Sequence, residues 1–176
     1  MIENIIEDLE HIRTTNNNET PLDKDPLLPF VETIIRAGDS RKANNICAYR
    51  VCHLTETTTF MIILEGNSRP QNQAIALAVE EDILKKFEKQ ILKQGSAASG
   101  WILMDYGSVI VHIMTPQMRN FYKLEKKWKD GEMVNIIGWI DENNKRSTYN
   151  SENDTEMMDD DEMIKQDVEE DDPFWK

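Results

Sequence analysis

Asp105 and His112 come closer to a catalytic arrangement than any other pair in this sequence. Trp101–Tyr106 and Val109–Met114 read as two strands joined by Gly107-Ser108, a two-residue hairpin turn that opens on glycine. Such a turn pairs Tyr106 with Val109, Met104 with Val111 and Ile102 with Ile113. One face then carries Ile102, Met104, Tyr106, Val109, Val111 and Ile113, and the other Trp101, Leu103, Asp105, Ile110, His112 and Met114. Asp105 and His112 become diagonal neighbours on the second face, within side-chain reach. A carboxylate so placed orients an imidazole and raises its pKa. Catalysis needs a third party, either a nucleophile or a metal. The hairpin offers no nucleophile elbow, no histidine cluster and no second carboxylate. A polar pair that fixes the strands or meets a partner is the expectation.

Other candidates are weaker. Gly66-Asn67-Ser68, between a strand and a helix start, could hold an anion on its backbone N–H groups, but neither GxxxxGK[ST] nor GxGxxG is present. Two-metal nucleotidyl transfer needs closely spaced carboxylates, and Glu80-Glu81-Asp82 falls mid-helix, where it reads as a solvated face. Cys47 and Cys52 are placed in one strand pointing to opposite faces, as free thiols of a reducing cytosol. No Cys/His spacing suggests zinc. Arg119, Lys123, Lys126, Lys127 and Lys129 make a basic stripe on a helix from Thr115. It is either the wet side of an amphipathic helix or a contact to RNA phosphates.

These residues need an α/β scaffold to hold them. Apolar positions 27, 30, 31, 34 and 35 have helical period, and Gly38-Asp39-Ser40 is expected to end that helix. Asn45–Leu54 reads as a strand. The continuous apolar run Phe60–Leu64 reads as a strand buried on both faces. Ser68, Pro70 and Gln71 form a capping signature for a helix with Ile75, Val79, Ile83 and Phe87 along its core stripe. Ile91–Lys93 is expected to be a short edge strand and Gly95–Gly100 a loop. The helix from Thr115 to Trp128 places Met118, Phe121, Leu124 and Trp128 on one face, with Arg119 and Tyr122 nearer the rim. Met133–Ile140 is a candidate last strand. The class is α/β, a single domain with a mixed sheet flanked by helices.

Charge divides the chain. Of its 176 residues 20 are basic and 33 acidic, a net charge of −13, and the stretch from Asp141 onward alone carries 14 acidic and 4 basic residues. The expected organisation is a polar N-terminal arm (1–26), a domain (27–140) and an acidic disordered tail (141–176). A strongly basic nucleic-acid binder is excluded for the chain as a whole. No run approaches the roughly 18 apolar residues of a membrane helix. The N-terminus has no basic n-region and is not Arg-rich, so neither a secretory signal nor a transit peptide is expected. The expected location is cytoplasmic.

The run Gly100-Trp-Ile-Leu-Met-Asp-Tyr-Gly-Ser-Val-Ile-Val-His-Ile-Met-Thr-Pro-Gln-Met-Arg-Asn-Phe-Tyr-Lys-Leu-Glu-Lys-Lys-Trp128 resembles the signature of the ribosomal silencing factor (Iojap-like) family. Phe60-Met-Ile-Ile-Leu-Glu-Gly-Asn-Ser-Arg-Pro-Gln-Asn-Gln-Ala-Ile-Ala76 is similar to the family's strand–Gly-Asn-Ser–helix segment. The resemblance spans roughly Leu27–Trp128 and leaves both tails outside. Thr115 departs from it, standing where many members have a second His. The resemblance implies a nucleotidyltransferase-like topology without catalytic carboxylates, and a protein that is not an enzyme and takes no cofactor and no metal. It implies binding to the large ribosomal subunit through ribosomal protein L-fourteen, which blocks joining of the small subunit and represses translation under nutrient limitation. Adjacent rRNA is a further candidate partner, and a second copy of the chain a candidate when free. The residues expected to line or support the partner contact are Trp101, Asp105, Tyr106, His112, Arg119 and Tyr122. Two competitors are a nucleotidyltransferase-type enzyme acting on a nucleotide and an acidic-tail module that recruits basic proteins.

Overall fold

The apolar run at Phe60 is buried along its whole length, and the sheet is built outward from it. A computed structural model of the chain describes residues 20–97 and 100–141. Most of the proposed arm (1–19) and nearly all of the proposed acidic tail (142–176) lie outside the described residues. Strands β1 (Asn44–Arg50), β2 (Phe60–Glu65), β3 (Lys93–Ala97), β4 (Trp101–Asp105), β5 (Val109–Met114) and β6 (Glu132–Met133) form one six-stranded sheet, ordered β3-β4-β5-β2-β1-β6. Only β2 and β5 run parallel; every other pair is antiparallel.

Two long helices cover one face. Helix α1 (Leu28–Ser40) buries Phe30, Val31, Ile34 and Ile35, the stripe its periodicity indicates. It ends at Ser40, within the Gly38-Asp39-Ser40 segment expected to end it. Gly38 itself is helical, and Leu64 packs so closely there that a Cβ would lie 3.0 Å from its methyl groups. Helix α2 (Arg69–Phe87) starts where the capping signature puts it, with the Ser68 hydroxyl accepting from Gln71 N–H and the Gln71 side chain accepting from Asn67 N–H. Ile75, Val79 and Ile83 are buried against Ile62, Leu64, Met104, Val111 and Ile113 in the main core.

The other face is covered by much less chain. Thr115 caps helix α3 (Pro116–Tyr122), its hydroxyl accepting from Met118 N–H. The expected single helix to Trp128 is broken: Lys123 turns left-handed at φ 48°, and α4 (Leu124–Lys127) follows as one turn. Three strand expectations are also corrected. β1 ends at Arg50 and Val51–Leu54 forms a turn, so Cys52 is not in the strand and is half-buried. The edge strand starts at Lys93, not Ile91, and takes in Gly95–Ala97 of the expected loop, because pairing with β4 outweighs the weak strand propensity of small residues. Of Met133–Ile140 only Met133 is strand, as the end of the two-residue β6, and Ile137–Trp139 is a short 3-10 turn. The β1 ladder slips between Asn44 and Cys47, with Asn45 at φ 46°, so no continuous edge remains for a longer β6.

Residues 20–25, read as arm, are fastened to the body. Asp25 is buried and ion-pairs with Arg50 at 3.2 Å, and Arg50 also donates to the Thr20 carbonyl at 3.0 Å and to Glu132.

Candidate interaction surface

The β4–β5 hairpin has the expected register: Ile102 faces Ile113, Met104 faces Val111, and Tyr106 N–H donates to the Val109 carbonyl across Gly107 at φ 85°. Alternation therefore sorts the side chains as the turn requires. Ile102, Met104, Tyr106, Val109, Val111 and Ile113 enter the main core, and Trp101 and Met114 enter a second cluster with Cys47, Tyr49, Met61, Ile63, Met118 and Leu124.

Asp105 and His112 do not form a pair. His112 Nδ1 accepts from Trp101 Nε1–H at 3.1 Å, while Asp105 turns to its own hairpin and accepts from Gly107 N–H at 2.7 Å. The short Asp105 side chain is taken up by its own turn, two residues on, and His112 by a diagonal bond across the two strands. His112 is 5% exposed. Burial, with a smaller push from the Lys127 charge, brings its pKa down to about 3. The imidazole is thus neutral. Since Nδ1 accepts, the proton is on Nε2, which has no hydrogen-bond partner among the described residues. This is the opposite of the carboxylate-raised histidine expected from spacing.

Tyr106 does not reach over the edge. Its ring is 1% exposed and stands edge-on to Phe30 with centroids 5.4 Å apart. Burial, with Glu80 adding, raises its hydroxyl well above the ordinary range. Arg119 is not at the rim either. At 6% exposed it donates to Glu125, to Glu65 at 3.2 Å, to the Asn45 carbonyl and to Cys47 Sγ at 3.4 Å. Burial opposes its charge, but the neighbouring Cys47, Glu125 and Glu65 together outweigh that and its pKa is raised. One side chain thus ties β1, β2 and α4 together. Cys47, buried beside it, has its thiol pushed up to about 12 chiefly by burial and stays protonated.

Trp101 and Tyr122 do come together, with rings 4.7 Å apart, and Tyr122 meets Phe121 edge-on at 5.1 Å. Trp101 is buried; Tyr122 and Phe121 are half-buried. Met118 and Leu124 anchor the two short helices on the sheet, and Trp128 lies half-buried with Lys127 Nζ 5.2 Å from its ring centre. Leu103 and Ile110, on the same sheet face, are also only partly covered. Leu103, Ile110, Phe121 and Trp128 were absent from the expected contact set, although the alternation and helical spacing put each on this face. What the spacing did not reveal is how little chain would cover them.

Among the described residues no cluster of three or more His, Cys, Asp or Glu could hold a metal ion. A cleft beside Arg69, Asn72 and Trp101 has a volume of about 160 Å³, small against the roughly 300–1,000 Å³ typical of ligand pockets. No helix among the described residues is long and apolar enough to cross a membrane.

Fold and surface together define a single mixed α/β domain, with one sheet face sealed by two long helices and the other capped by two short ones that leave an aromatic patch half-covered. The chain belongs to the ribosomal silencing factor family: the family model described as ribosomal silencing factor during starvation matches residues 24–164. The match runs beyond Trp128 into the acidic segment that the sequence resemblance left outside. A ribosomal silencing factor of Halalkalibacterium halodurans is 33% identical over 117 residues, covering 63% of this chain and 95% of that protein. The chloroplastic protein Iojap of Zea mays is 35% identical over 109 residues, 62% of this chain and 47% of that protein. A crystal structure of a Chromobacterium violaceum protein superposes with a TM-score of 0.56 at 29% identity, covering 60% of this chain and 88% of that one.

Proposed function

We propose that this chain binds the large ribosomal subunit through ribosomal protein L-fourteen, blocks joining of the small subunit and thereby represses translation when nutrients are short. The observation that carries this reading is the half-covered second sheet face. Ile110, Phe121, Tyr122 and Trp128 form a patch of large apolar and aromatic groups that the fold leaves partly exposed, with Leu103 partly covered on the same sheet face. Such groups dominate protein interfaces, and a rigid backing lowers the ordering cost of binding. Here Trp101, packed at a tilt against Tyr122 and bonded to His112, supplies that backing. Within the sequence-derived contact set, Tyr122 lines the contact and Trp101, His112 and Arg119 support it from beneath. Asp105 sets the adjoining turn, and Tyr106 acts only through the hairpin's inner face.

A nucleotidyltransferase-like topology without metal-binding carboxylates, which the family resemblance implies, fits a protein that occupies a surface and catalyses nothing. The test is sucrose-gradient fractionation. The chain is expected to co-migrate with free large subunits and to lower the yield of joined ribosomes in a reconstituted mixture. Absence from large subunits at low salt would refute the reading.

A further inference from the structure

We infer that the lysines bordering this patch contact the phosphate backbone of rRNA, so that the domain reads the subunit as a joint protein–RNA surface. The inference rests on the proposed subunit binding. Lys123, Lys126, Lys127 and Lys129 are all exposed. The left-handed turn at Lys123 gathers the first three: Lys126 N–H donates to the Lys123 carbonyl at 3.0 Å, closing a tight turn between α3 and α4. The only carboxylate from Pro116 to Lys129 is Glu125, and it is buried against Arg119. Asp130, the residue after Lys129, is exposed, so this border carries four exposed lysines against one exposed carboxylate. The positive charge is local, because residues 1–140 carry 19 acidic and 16 basic residues.

RNA suits this border better than a protein surface does. Lysine is depleted in protein–protein contacts, where arginine and aromatics are preferred, while exposed lysines neutralising phosphates supply the usual salt-dependent part of RNA affinity. The lysines adjoin Phe121 and Trp128, and Lys127 already lies over the Trp128 ring. A partner protein seated on the patch within a ribosomal subunit would bring rRNA phosphates to this edge.

The test compares the full chain with a Lys123→Ala/Lys126→Ala/Lys127→Ala/Lys129→Ala variant on two probes, purified large subunits and isolated ribosomal protein L-fourteen. With subunits, the plot of log affinity against log salt should become shallower by about 3 for four lost phosphate contacts. Affinity for the isolated protein should be unchanged. An equal loss on both probes would place the lysines against protein, and an unchanged slope on subunits would place them in solvent; either overturns the inference. Failure of the parent chain to bind subunits at all would instead overturn the proposed function.

Discussion

The two faces of the sheet are built from the same strands and end in different states. Against α1 and α2 the strands bury Phe60, Ile62, Leu64, Val111 and Ile113 completely, as a sealed core. Against α3 and α4, seven and four residues long, the middle of the sheet is also buried, at Tyr49, Met61, Ile63, Trp101 and Met114, but Leu103 and Ile110 stay only partly covered. The first face holds the fold by area. The second is held by a smaller apolar cluster, by the buried ion pairs of Arg119, and by a tilted Trp101–Tyr122 pair that remains partly open. A sealed face has nothing to offer a partner. The face that is incompletely covered, yet rigidly backed, is the one fitted to bind.

The comparison breaks most severely at Arg119. Arg119→Ala leaves Glu65 and Glu125 without their cation, and losing one partner of a buried ion pair costs about 3–5 kcal/mol. Urea denaturation should show that loss, and α3–α4 should lose amide-exchange protection before α1 and α2 do. Equal loss of protection in both layers would contradict the division of labour.

His112 sharpens it next. With its folded pKa near 3 and an unfolded value of roughly 6.5, the unfolded chain takes up a proton first as pH falls. Its stabilisation is fully present above about pH 6.5 and is lost as pH falls through the window down to about 3. From this group alone the domain should be about 2 kcal/mol less stable at pH 5 than at pH 8. His112→Gln should flatten that part of the profile, which thermal melts across pH can check. A smaller effect is expected at Tyr122. Removing its half-buried ring should cost stability about 1 kcal/mol or less beyond its area. Subunit affinity should nevertheless fall about tenfold or more, as for an interface anchor.

The sequence was most legible where local chemistry decides. Gly107-Ser108 sets the hairpin register and with it the facing of twelve side chains, and Ser68 and Gln71 mark the start of α2. Legibility ended where distant residues decide. Arg119 looks like part of a surface stripe because Glu65, 54 positions away, and the Asn45 carbonyl, 74 away, are invisible to local spacing. The α3–α4 break falls at a lysine, a residue with no special claim on the left-handed region. That break also leaves Trp128 half-buried, so its truncation should cost less than the full burial of a helix-face tryptophan suggests. Of the contact set, Trp101, His112 and Tyr122 meet in space, while Asp105 bonds within its own turn.

The central claim is that the thinly covered face, and not the opposite surface, meets the ribosome. Leu103→Glu places a charge on that face at a half-exposed site, and Leu77→Glu places the same charge on the outer side of α2, where Leu77 is 53% exposed. Both variants should melt close to the parent. Equilibrium binding to purified large subunits should then fall about thirtyfold or more for Leu103→Glu, the loss of a contact worth about 2 kcal/mol, and stay at the parent value for Leu77→Glu. If Leu103→Glu folds and binds like the parent while Leu77→Glu loses the subunit, the interface lies on the α2 side and the account is contradicted.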